Sequence, residues 1–146
     1  MQLKKLMASL GVILCFCTTS STAVYAEATV PYVDSGISLM YEIADNPVST
    51  LNITNGTAEC ISSVKGKGAV KITVVQTLQK YWGLWFWEDV DGAEWTRTVE
   101  RNSISLTNSK SGLDSGKYRV KSVFTLTDQN GKSETITVCS SEQEAS

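Results

Sequence analysis

Leu113-Asp114-Ser115-Gly116-Lys117-Tyr118-Arg119-Val120 is the stretch that decides the fold. Asp, Ser and Gly turn a chain. The tyrosine then opens a run in which Tyr118, Val120, Phe124 and Leu126 alternate with Arg119, Lys121, Thr125 and Thr127. Period two is the mark of a strand buried on one face. A tyrosine at the start of such a strand can return its hydroxyl to backbone a few residues upstream and so fix the corner.

That corner resembles the turn that enters strand F of an immunoglobulin-like domain. The Tyr-x-Cys of antibody domains is Tyr118-Arg119-Val120 in this chain, so the intersheet cysteine is replaced. Strands F and G are expected over 117–127 and 132–138, joined by Asp128-Gln129-Asn130-Gly131. Alternation recurs upstream. Ile37, Leu39, Tyr41 and Ile43 share one parity, and Leu51 and Ile53 make a short strand. Asn55-Gly56 is a strong tight-turn pair. Ala58, Cys60, Ser62 and Val64 alternate after it, and Gly66-Lys67-Gly68 turns the chain. Val70, Ile72, Val74 and Leu78 form an inward face; Lys71, Thr73, Thr77 and Gln79 form the outward one. An aromatic strand is expected from Leu84 to Val90, turned by Asp91-Gly92, and Ile104 and Leu106 mark another. No stretch carries sustained helical spacing. The expectation is all-β: an antiparallel immunoglobulin-like sandwich of about seven or eight strands.

The N-terminus reads differently. Lys4 and Lys5 precede an apolar run from Leu6 to Cys17, and Val24-Tyr25-Ala26 offers small residues at −3 and −1 of a signal peptidase site. This is the order of a cleaved secretory signal peptide. The run falls short of the ~20 residues that span a bilayer. The expected organisation is signal peptide 1–26, flexible leader 27–36, sandwich 37–140 and disordered tail 141–146. Cleavage leaves 120 residues with 11 cations against 15 anions, a charge of −4. No basic stripe is present, so nucleic acid is not an expected partner. A secreted, extracellular location without a remaining membrane span follows.

An oxidising destination makes a Cys60–Cys139 disulfide the natural expectation, the alternative being two thiols. It would close a loop of about 80 residues, worth roughly 4 kcal/mol on the chain-entropy model. One detail opposes it: Ile136 and Val138 point inward, which gives Cys139 outward parity.

The signal peptide, the small-residue strand Ala58 to Gly66, Leu78-Gln79-Lys80, the tryptophan strand, Gly116-Lys117-Tyr118-Arg119 and Gly131-Lys132-Ser133-Glu134 occur in that order. In this order the chain resembles an uncharacterised family of small secreted β-sandwich proteins of Firmicutes, many from gut anaerobes. The resemblance covers about residues 37–140 and implies a fold and a location, with no activity attached.

Chemistry is sparse. The chain has no histidine, which removes the commonest general base and the Ser-His-Asp arrangement. Neither a Gly-x-Ser-x-Gly elbow nor a P-loop or dinucleotide fingerprint is present. No enzyme and no cofactor are expected. Asp89, Asp91 and Glu94 form a weak calcium candidate, since calcium takes six to eight oxygens; the plainer reading is a solvated Asp-Gly turn. Tyr81, Trp82, Trp85, Phe86, Trp87 and Trp95 fall within 15 positions and include all four tryptophans. Strand alternation cannot bury both faces of such a strand. Trp82, Trp85, Trp87 and Trp95 are therefore the candidate ligand-binding residues, with Trp85 and Trp87 as core the alternative. Exposed aromatics suit sugar rings or a protein pocket. The expected function is a monomeric, non-catalytic extracellular binding module for a glycan or an extracellular protein. The alternative is a structural, self-associating protein, and a small secreted toxin or bacteriocin-like role is a distant third.

Overall fold

A computed structural model describes residues 41–146 and the backbone of residues 27–28. The expected signal peptide, most of the leader, and the positions of Ile37 and Leu39 lie outside the described residues. The elements are β1 (Glu27–Ala28), β2 (Ala44–Thr54), β3 (Thr57–Gly66), β4 (Ala69–Gly83), β5 (Phe86–Val99), β6 (Ser103–Lys110), β7 (Gly116–Asp128), β8 (Ser133–Cys139) and β9 (Gln143–Ala145). Among the described residues no helix is long and apolar enough to cross a membrane.

Strands order as β2-β3-β6 in one sheet and β1-β8-β7-β4-β5 in the other, with β9 also on β7. Apart from the short parallel β1–β8 pair, every pairing is antiparallel. Three strands facing the four central ones in this order make an immunoglobulin-like sandwich. β7 and β8 are the expected strands F and G, and the corner is closed: Tyr118 Oη donates to the Asp114 carbonyl at 2.8 Å.

The inward parity of β3, β4 and β7 is apolar above and below, and polar in the middle. One apolar cluster holds Ile72, Val74, Ile104, Phe124, Leu126 and Ile136; the other holds Leu51, Cys60, Leu78, Tyr118 and Val120. Between them Gln76 Nε2 donates to Ser62 Oγ at 2.7 Å, and Ser62 and Ser122 share a hydrogen bond of 2.6 Å. Ser49 joins Ser122 at 2.8 Å, and Asn108 Nδ2 donates to Gln76 Oε1 at 2.9 Å. The layer links five strands across both sheets. Its members satisfy one another, which is what makes buried polar groups tolerable.

Four local expectations are corrected. The tail does not fray: Gln143–Ala145 pairs with Gly116–Tyr118, beyond the reach of β8, and Ala145 is buried. Ser140 makes the join, its N–H donating to the Val120 carbonyl while its hydroxyl accepts from Val120 N–H. Val70 is not inward, because a bulge between Ala69 and Lys71 turns it to solvent. Asp91-Gly92 is not a turn but lies inside β5. No bond joins Cys60 to Cys139. Cys60 is buried in the core, whereas Cys139 stands opposite Lys121 on the outward face. The strand runs regularly to Cys139, so the parity objection decides the matter.

Candidate functional site

β4 and β5 form one long hairpin, and its turn falls earlier than the sequence reading placed it. Gly83 pairs with Phe86, so Leu84 and Trp85 are the two central turn residues. Their φ angles are 50° and 71°, and that of Gly83 is 88°. Positive φ at both centres is the type I′ requirement, met ordinarily by Asn-Gly, Asp-Gly or Gly-Gly. A side chain in the left-handed region costs about 1–2 kcal/mol per residue. Leucine and tryptophan occupy it in this turn. Trp82, Leu84, Trp85 and Phe86 are 67%, 85%, 91% and 71% exposed. Among the described residues, the turn that holds two non-glycine, non-asparagine residues at positive φ thus carries the most exposed large apolar side chains.

Behind the tip the aromatics divide by face. Trp87 lies on the outward face beside Tyr81, their ring centroids 5.2 Å apart. The Arg119 guanidinium covers Trp87 at 4.3 Å from its centroid. Arg119 Nε also donates to Gln79 Oε1 at 2.9 Å, and Gln79 Nε2 donates to Asp89 Oδ1 at 2.7 Å. This chain of contacts stiffens the hairpin below its tip. Trp95 faces the other way and packs on the core. The cause is a bulge: Asp89 pairs with Gln79 and Glu94 with Thr77, leaving four residues opposite Leu78 alone. Three extra residues invert the parity, and Gly92 at φ 65° permits the path.

Of the candidate residues, then, Trp82 and Trp85 are displayed together. Trp87 is half-buried on the outer face, and Trp95 is a half-buried core residue. Leu84 and Phe86 join the display; the sequence reading put a loop at Gly83 but began the strand at Leu84, and so left these two out. The calcium candidate does not assemble. Asp89 is engaged by Gln79, Glu94 lies across the bulge, and among the described residues no three His, Cys, Asp or Glu side chains group to hold a metal.

Two cavities flank the hairpin. One of about 310 Å³ lies beside Trp82, walled by Lys80, Glu88, Asp91, Lys110 and Asp114. The Lys80 ammonium lies 5.5 Å from the Trp82 ring centre and 5.7 Å from that of Tyr118, within cation–π range. The other, of about 670 Å³, lies at the far end of β5 and includes Lys65, Arg97 and Arg101 with Val48, Val99 and Ile104. Burial pushes the Cys60 thiol up to about 12, with the Glu59 charge adding to it. Cys60 is therefore a packing residue and not a nucleophile.

No family model and no curated protein matches the chain. Among solved structures it is similar to two crystal structures of wild-type OgpA from Akkermansia muciniphila. One has a TM-score of 0.37 at 11% identity over 70% of this chain, the other 0.36 at 10% over 73%. The match spans only 30% and 31% of those longer chains. It is also similar to the CARDB domain of the PF1109 protein from Pyrococcus furiosus, solved in complex with di-metal ions. The TM-score there is 0.34 at 19% identity, over 75% of this chain and 98% of that one.

Proposed function

We propose that this chain is a secreted, non-catalytic binding module that engages a protein surface through the β4–β5 hairpin tip. One observation carries the reading: Trp82, Leu84, Trp85 and Phe86 are displayed on a turn whose backbone would be relaxed by Asn-Gly. Strain held at a solvent-exposed position points to function. The four side chains are apolar and exposed at one end of the hairpin, and tryptophan is among the residues most enriched at the centre of protein interfaces. The Arg119–Gln79–Asp89 contacts hold the tip on a stiff stem, so little ordering is left to be done on binding.

A second reading rests on the cavity beside Trp82. An indole edge next to Glu88, Asp91 and Lys110 is the pairing of apolar ring and polar groups that suits a sugar.

Acrylamide quenching of tryptophan emission, against panels of extracellular proteins and cell-wall glycans, tests both. The protein reading expects a ligand that shields the tip and is lost in Trp85→Ala. Loss in Asp91→Asn and Lys110→Ala, with Trp85→Ala unaffected, selects the sugar reading. A ligand indifferent to all three contradicts both.

A further inference from the structure

We propose that the partner of the hairpin tip is a second copy of this chain, which receives it in the cavity at the opposite pole. This inference rests on the reading that the tip is a contact surface and names what it contacts.

The two features lie at opposite ends of one strand. β5 begins at Phe86 beside the turn, and Arg97 and Val99 at its end line the larger cavity. At about 3.3 Å per residue, less the bulge, tip and cavity are on the order of 30 Å apart. One molecule cannot fill its own cavity with its own tip.

Their chemistry is complementary. The cavity, about 670 Å³, has Val48, Val99 and Ile104 among its apolar walls. Val48 is one of only two exposed large apolar residues away from the tip among the described residues. Lys65, Arg97 and Arg101 also line it, on a chain whose charge is negative overall. Among the described residues none of these three makes an ion pair or a side-chain hydrogen bond. An unpaired guanidinium favours an aromatic face, and the tip supplies two indoles and a phenyl ring. Directly behind the tip come Glu88, Asp89 and Asp91, with Glu88 and Asp91 free of ion pairs. An aromatic tip followed by carboxylates meets a cavity whose walls mix aliphatic and polar side chains and whose three cations outnumber its one carboxylate, Asp45, so the net signs are complementary.

Tip and cavity are different surfaces at opposite ends of β5. Two antiparallel copies that exchange tips close as a dimer, and copies placed head to tail extend the series. Each copy covers the apolar tip of the next, which is how a soluble chain can carry it.

Sedimentation velocity on the purified protein across a concentration series tests this. The expected result is a mass that rises with concentration above that of the monomer, and less steeply at high salt. Trp85→Ala and the double variant R97E/R101E each weaken association at least tenfold. All three sites are exposed, so both proteins keep the native circular dichroism. Mixed, the two restore one contact only, between the tip of R97E/R101E and the cavity of Trp85→Ala, and stop at a 1:1 pair. A monomer at every concentration overturns the proposal, as does association that survives either variant or a mixture that forms no pair. If the chain stays monomeric while Trp85→Ala still abolishes capture of another protein, the tip remains the contact surface and only the second copy is excluded as its partner.

Discussion

Leu84 and Asn55 hold the same backbone angle, φ 50°, at the first centre of two two-residue hairpin turns. Gly56 follows Asn55 at 68°, and Trp85 follows Leu84 at 71°. One geometry is thus built twice, once from the residues that fit it and once from residues that resist it. The β2–β3 turn serves the fold. The β4–β5 turn gives up stability to place leucine and tryptophan in solvent, and the functional reading starts from that contrast.

Tyr118 anchors the corner that the sequence announced. Its hydroxyl donates to the Asp114 carbonyl while its ring is buried. Tyr118→Phe keeps the ring and removes the bond, so a loss of about 1 kcal/mol is expected. Urea denaturation with an unchanged m-value checks it.

Gln76 holds the middle of the polar layer. Gln76→Leu strands the Asn108 amide and frees Ser62 from one partner. An expected loss of about 2 kcal/mol follows from leaving buried polar groups unpaired. Equilibrium unfolding measures it. A gain in stability would show the layer to be a burden on folding.

Cys60 carries a pH signature. Its thiol rises from its ordinary value near 9 to about 12 because burial disfavours the thiolate. A group whose value is raised on folding stabilises fully below its unfolded value and loses that contribution as pH climbs toward the folded one. Stability attributable to Cys60 is therefore intact below pH 9 and declines between about pH 9 and 12. The slope is on the order of 1 kcal/mol per pH unit. Cys60→Ala should lack this component of the alkaline decline. Peptide mapping after alkylation at pH 8 should find Cys60 unmodified in the folded protein.

The sandwich was legible because its signals are local. Asn55-Gly56, Asp128 to Gly131 and the Gly116-Lys117-Tyr118 corner each fix a turn by residue type, and alternation on β3 and β7 fixes a face. Ser62 was placed in an alternating series, while Gln76 and Ser122 were passed over because a polar residue interrupts an apolar face there; their meeting as one network depends on how the sheets align. The hairpin was misread where the chain breaks a local rule. Leu84-Trp85 has no turn propensity, and Asp91-Gly92 has much, yet the former turns and the latter bulges. Trp87 and Trp95 should share a face by counting, and the three extra residues between them part them. Cys60 and Cys139 suggested a bond by compartment, while strand parity kept them on different faces.

In the function proposed above, Leu84 and Trp85 serve a contact and not the fold. The most direct measurement is the unfolding free energy of the double variant L84N/W85G beside the parent. Asn and Gly relax both turn positions, and the two lost side chains are almost wholly in solvent. A gain of about 1 kcal/mol is predicted, net of the added freedom of the unfolded chain. A loss of 1 kcal/mol or more would mean that the tip packs for the sake of the fold, and that Leu84 and Trp85 are not held there for a partner.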